Sequence, residues 1–201
     1  NFYYCWWYDF NYSFISNLKI YLKDDFDTLF DKRTKSLIKL QTIKDSYKIN
    51  IQDTLNEFEK NSLNYEQTIE VLNIAKEIIE KNWSEYKYRL NKDFNNSILS
   101  KIKTYFINSN HYKNQYIKEL NIENIDNKMV DIFSSIEKLD KKNSKEYFTN
   151  INFNIDSIFV YLGSLVNYDL NLAINEKRDT DNIFKLVTIF SFISIFFVVF
   201  F

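Results

Sequence analysis

From Phe26 the chain advances by alternating steps of four and three residues through Phe30, Arg33, Leu37, Leu40, Lys44, Tyr47, Ile51, Thr54 and Phe58. Such a rhythm keeps one face of an α-helix turned the same way over many turns. With Leu29, Ile43 and Leu55 flanking it, the run predicts one helix from near Tyr12 to near Lys60, packed along a single face. At about 1.5 Å per residue that helix is a rod roughly 70 Å long. The chain holds one glycine and no proline in 201 residues. Sheet proteins lean on both at their turns and bulges, whereas helix interiors need neither, so the architecture is all-α.

The rest of the chain repeats the pattern. "KNSLNYEQ" supplies a turn, in which Asn64 and Gln67 have the spacing of an N-cap and the answering half of a capping box. A second helix then carries a stripe of Ile69, Leu72, Ala75, Ile79, Trp83, Tyr86 and Leu90, and Asn91 to Asn96 break it. A third runs on Ile98, Ile102, Tyr105, Ser109, Tyr112 and Tyr116. It resumes after a weak point at Asn121, either a kink or a loop, through Val130, Phe133, Ile136 and Leu139. "DKKNSKE" is turn-like, with Asn143 or Ser144 able to cap a fourth helix on Ile151, Ile155, Ile158, Leu162 and Leu165. The sum is an antiparallel up-and-down four-helix bundle with short connections, its long first and last helices continuing toward membrane helices.

The ends carry the membrane expectation. Leu186 to Phe201, "LVTIFSFISIFFVVFF", holds no charge and stops just short of the roughly 20 residues that cross a bilayer, so it is expected to be a membrane helix cut mid-span. Lys185 is placed to snorkel at its edge. "NFYYCWWYDF" lacks an initiator methionine and resembles the aromatic belt where an earlier membrane helix leaves the bilayer, the alternatives being an aromatic-rich soluble helix end or a signal-peptide remnant. The expected organisation is 1–11 as that exit, 12–182 as the bundle and 183–201 as the C-terminal membrane helix. Four antiparallel helices return the chain to the end at which it started, so both membrane helices enter one face of the bilayer. Rigid helices that enter lipid pass on small axial or rotational shifts, which favours a sensor or tether over an enzyme.

Charge and chemistry exclude other classes. Twenty-six Lys and Arg against 27 Asp and Glu leave no basic excess for nucleic acid. Cys5 alone makes neither a disulfide nor a cysteine metal cluster, and His111 alone makes no His-pair zinc site. Asp24 and Asp25 are adjacent on a helix and point apart, so they form no dyad. Gly163 lies inside a helix, where it permits close packing. No catalytic constellation, metal site or cofactor is expected.

Two cations, Arg33 and Lys44, break the apolar rhythm. A cation held among helices is costly unless paired, so each is expected to meet a carboxylate from a neighbouring helix, a second copy of the chain or a ligand. The plainer alternative is a structural ion pair, or a long stem that reaches water. Eleven residues apart, the two stack about 16 Å from one another, too far for one small ligand. Tyr47, Trp83 and Tyr86 fall inward, where rings at helical spacing are usually core. If a cavity exists there, these rings with Lys44 or Lys48, and Thr149 or Asn152 from the fourth helix, suit a small organic acid or amino acid.

Leu29, Phe30, Asp31, Arg33, Leu37, Leu40, Tyr47, Asp53 and Thr54, followed by Ala75, Trp83 and Tyr86 in "AKEIIEKNWSEY", resemble the four-helix-bundle sensor domain of methyl-accepting chemotaxis proteins. The resemblance spans about Tyr12 to Asp181, with strong motifs in the first two helices. "YLGSLVNYDLNLAINEK" is similar to the family's last helix in pattern only, and the prolines common near the start of that helix are missing. The resemblance implies a homodimeric extracytoplasmic domain in a bacterial inner membrane that passes ligand occupancy to a cytoplasmic signalling part. Arg33 and Asp53, within its motif, are then structural or dimer residues, and Lys44 is the ligand candidate. A tail-anchored helical tether or a structural subunit of a membrane complex is the rival reading.

Overall fold

A computed structural model describes residues 2–91, 111–139 and 144–200. Among them no strand occurs, and four helical runs account for nearly all. The first run is helix α1 (Phe2–Asp45), a π-helical segment (Ser46–Asp53) and helix α2 (Thr54–Glu59). Helices α3 (Tyr65–Asn91), α4 (His111–Glu137) and α5 (Ser144–Phe200) follow. The described residues fall into two compact units, one made of 2–33 and 171–200, the other of 34–91, 111–139 and 144–170.

The second unit holds the main core. Leu40, Ile43, Tyr47, Ile51 and Leu55 of the first run bury against Leu72, Ala75, Ile79 and Tyr86 of α3. Ile125, Ile132 and Ile136 of α4 and Ile151, Ile155, Ile158, Leu162 and Leu165 of α5 complete it. The α3 and α5 stripes therefore lie where their spacing placed them. In α4 the helix passes unbroken through Asn121, which is buried and donates through Nδ2 to Ser164 Oγ at 3.0 Å. A polar side chain that finds a partner on the next helix keeps the ladder intact where the sequence showed a weak point. Val130 is a correction, since it stands on the surface while Met129 and Ile132 face inward. The expected stripe at 98–109 and the Asn143 cap lie outside the described residues.

The corner between α2 and α3 follows from its residues. Asn61 takes φ 59°, the left-handed conformation that asparagine tolerates better than other non-glycine residues. Its amide donates to Phe58 O at 3.0 Å and the Ser62 amide to Glu57 O at 2.9 Å, the two bonds of a Schellman stop. Asn64 and Gln67 then form the reciprocal box, with bonds of 3.1 and 2.8 Å. Phe58 packs against Tyr65 and Phe148 over this corner, and Tyr65 OH donates to Leu139 O at 2.9 Å.

The first run departs from the expected seam. Arg33, Leu40, Tyr47, Ile51 and Thr54 are buried as their spacing predicts, but Phe30 and Lys44 face solvent and Leu37 is half-buried. Leu29, Ser36 and Ile43 are inward instead. The buried stripe thus steps 29, 33, 36, 40, 43, 47, and a plain α-helix would carry it on to Asn50, Thr54 and Glu57. Thr54 is buried, but Asn50 and Glu57 are only half-buried, and the fully buried apolar residues are Ile51 and Leu55, one position after Asn50 and Thr54. The chain holds one residue too many for a continuous stripe, and the wider i→i+5 winding of the π segment absorbs it. Sequence rhythm alone does not separate the two stripes, because Arg33, Leu40 and Tyr47 belong to both.

Deleting Asn50 should therefore let the stripe continue as ordinary α-helix and change Tm by at most roughly 4 °C. Deleting exposed Glu77 turns Ile79, Trp83 and Tyr86 off the core and should cost at least about 3 kcal/mol in urea titration. Equal losses from both deletions would overturn the one-residue surplus.

Candidate functional site

In the second unit the three rings singled out by spacing all enter the core. Trp83 and Tyr86, one helical step apart on α3, stack with centroids 5.5 Å apart and planes 16° from parallel. Each ring buries its body and hands its polar tip to an acid. Trp83 Nε1 donates to Asp126 Oδ1 at 2.6 Å, and Tyr86 OH to Asp169 Oδ2 at 3.2 Å. Asp169 is itself fully buried. Lys87, one turn on from Trp83, grips both oxygens of Asp126 at 2.8 and 3.1 Å while its ammonium sits 5.6 Å from the Trp83 ring. Nearby on the same helix, Glu85 Oε2 meets Lys39 Nζ at 2.6 Å, and that hydrogen bond holds the Glu85 carboxyl below its ordinary range. Side chains from four helical runs thus converge on one end of α3 as a shell of rings closed by salt bridges and hydrogen bonds.

Tyr47 differs. It sits in the π segment, wholly buried, and its hydroxyl has no hydrogen-bond partner among the described residues. Burial, with the charge of Glu80 adding to it, drives its phenol pKa well above the usual value, so the group is a neutral donor at any physiological pH.

The remaining expected ligand residues stand apart from the rings. Lys44 is exposed, about 60° of helical turn from the centre of the buried stripe, and its ammonium lies 6.0 Å from the Phe159 ring. It takes the snorkelling option rather than the seam. Lys48 is exposed and bonds Gln52 Oε1 at 3.3 Å. Thr149 is exposed next to Phe148 at the corner end, and the 20 residues of helix between it and Asp169 amount to roughly 30 Å. Rings and lysines therefore do not form one pocket. Asp53 ends the π segment on the surface. At Gly163 an added Cβ would meet nothing within 4 Å, so none of the described helices uses its bareness.

The first unit holds the other buried charge. Arg33 presents its guanidinium edge to Glu176, with Nε to Oε2 at 3.3 Å and Nη2 to Oε1 at 2.9 Å, and both side chains are nearly buried. Thr180, a turn further along α5, ties its hydroxyl to Glu176 O at 2.7 Å. Leu22, Leu29 and Ile183 form the apolar contact of this unit. The expectation that Arg33 finds a carboxylate on a neighbouring helix is met by Glu176.

Asp169, Glu176 and Asp126 were not singled out by sequence reasoning, yet two of them carried a signal. The rhythm 151, 155, 158, 162, 165 of α5, taken three turns further, lands on Asp169, Leu172 and then Glu176. Asp126 had no comparable mark, because it lies beside the stripe of α4 rather than in it. Comparison with protein-family models, with characterised proteins and with solved structures returns no match.

Three variants test this assignment. Glu176→Ala takes the carboxylate from a guanidinium that stays in the core and should cost about 3–5 kcal/mol, whereas Arg33→Met with Glu176→Leu should be neutral or stabilising. Tyr47→Phe removes a buried donor that has no partner among the described residues and should stabilise by about 1 kcal/mol in chemical denaturation. A loss of similar size from Tyr47→Phe would mean that its hydroxyl is bonded.

Proposed function

We propose that the chain is the input part of a bacterial transmembrane receptor. In this reading residues 12–182 form an antiparallel up-and-down four-helix bundle outside the inner membrane, residues 183–201 enter the bilayer, and two copies work as a homodimer. One observation carries it. A single helix, α5, bears both the buried stripe from Ile151 to Leu165 and a C-terminal stretch in which Phe190, Phe192 and Phe196 stand exposed. That helix is long and apolar enough to cross a membrane, and a run of exposed large apolar side chains is at home in lipid rather than water.

The order of contacts in the second unit supports the up-and-down arrangement. Between the first run and α3, Lys39 meets Glu85 and Phe58 meets Tyr65. Between α3 and α4, Tyr65 meets Leu139, Lys76 meets Glu137 and Lys87 meets Asp126. Between α4 and α5, Asn150 meets Ser135 and Asn121 meets Ser164. In each pair of helices one number climbs as the other falls. A ligand or binding protein that prefers one of two packings would bias α5 and so the segment in the membrane. Trp83, Tyr86, Lys87 and Glu85 each find a partner within the chain, a closure that favours an indirect or peripheral input over a small ligand in the core. The same closure supports a second reading, a tail-anchored tether or structural subunit.

The full chain reconstituted with phospholipid vesicles should float with them and resist high salt, and Phe192→Arg with Phe196→Arg should release it. Chemical cross-linking in the vesicles should trap dimers. A chain left in the aqueous fraction overturns both readings. A chain that inserts without dimerising, and whose Tm no organic acid or amino acid raises, is a tether.

A further inference from the structure

The π segment is flanked by a helix with two usable faces. Over 34–45 the buried stripe takes Ser36, Leu40 and Ile43, continuing to Tyr47. The rival stripe takes Leu37, Leu40, Lys44 and Tyr47, and runs on without interruption through Ile51, Thr54 and Phe58 as plain α-helix. The occupied face buries a serine, leaves Leu37 and Phe58 half-buried, and needs eight residues of i→i+5 winding, where such winding is usually a single turn. It also leaves the Tyr47 hydroxyl in the core without a hydrogen bond to any described residue. The rival face needs no π winding and gains Leu37 and Phe58, but it turns Ile43 aside and brings Lys44 inward. Costs of opposite kind fall on the two faces, and the residues that both share need not leave the core.

We propose that Ser46–Asp53 is a two-state segment, π-wound as described and α-wound in a second state. In that second state 34–45 is turned by roughly 50°, half of one residue's step around the helix, so that Leu37 and Lys44 take the inward positions of Ser36 and Ile43. The turn is a rotation of the first helical run that leaves the Asn61–Gln67 corner in place. It rests on the receptor reading only for what such a rotation drives, and it concerns the regulation of that input rather than its ligand. Whatever draws the Lys44 ammonium off the surface favours the α-wound state, and whatever holds it there opposes it.

The turn is read by cysteine accessibility in the full chain in detergent micelles, with Cys5→Ser removing the native thiol. Ser36→Cys places a reporter at a position that is buried in the π-wound state and on the flank in the α-wound one. Ala75→Cys, wholly buried on α3, reports general unfolding. Adding Lys44→Leu favours the rival face and should raise maleimide labelling at position 36 by roughly tenfold, the gain open to a minor state of a few per cent. Deleting Asn50 makes the occupied face continuous and should slow that labelling below the starting rate. Labelling at position 75 should stay unchanged in both backgrounds. Equal rates at position 36 in all three backgrounds, a rise at 36 matched by one at 75, or an Asn50 deletion that fails to fold would each overturn the proposal. None of these readouts involves lipid, a second copy or a ligand, so this test and that of the receptor reading fail independently.

Discussion

One surplus residue governs the first half of the molecule. A helix can keep an apolar stripe on a core only while residues arrive at the helical period, and between Tyr47 and Ile51 that period slips by one. The chain meets the slip with π winding rather than with a loop, so the backbone bonds persist and the stripe stays inward on both sides. The buried positions of α3 and α5 opposite it can then remain regular, and their stripes show no comparable interruption. The irregularity is concentrated where one run passes it, instead of being shared among four.

Buried polarity is managed by a different rule in each unit. In 34–170 the large rings carry their polar ends to acids on other helices, as Trp83 does with Asp126 and Tyr86 with Asp169. In the other unit Arg33 and Glu176 form a two-point fork, which resists sliding along the helix axis because both bonds lengthen together. Pairs of this kind add little net stability against an apolar substitute, but they penalise every register except one. They set where the helices stop against each other, while the apolar stripes set that they meet at all.

Much of this was legible in the sequence, for physical reasons that also mark the limit. Stripes on α3 and α5 could be read because Ile, Leu and Ala recur there with a single consistent period. The Asn64 and Gln67 box could be read because capping is local chemistry, settled within four residues. The face of the first run could not, because Leu29 and Ile43 compete with Phe30 and Leu37 and only packing chooses between them. Lys44 was misplaced for that reason, and a long flexible stem escapes a seam that shorter side chains cannot leave. Arg33 was placed correctly because it belongs to both stripes, and Glu176 meets its guanidinium there. Partners far apart in the chain, such as Lys87 and Asp126 at a separation of 39, carry no local signature at all.

The corner at Asn61 to Gln67 has a consequence for how the chain reaches this state. Both helix ends there are stopped and started by residues of the corner itself, and Phe58 and Tyr65 touch across it while only seven positions apart in the chain. Closing so short a loop loses little chain entropy, and helix nucleation is the expensive step that caps make easier. The α2–α3 hairpin is therefore a place where folding can begin before any distant segment arrives, and Phe148 of α5 packs onto it from far along the chain.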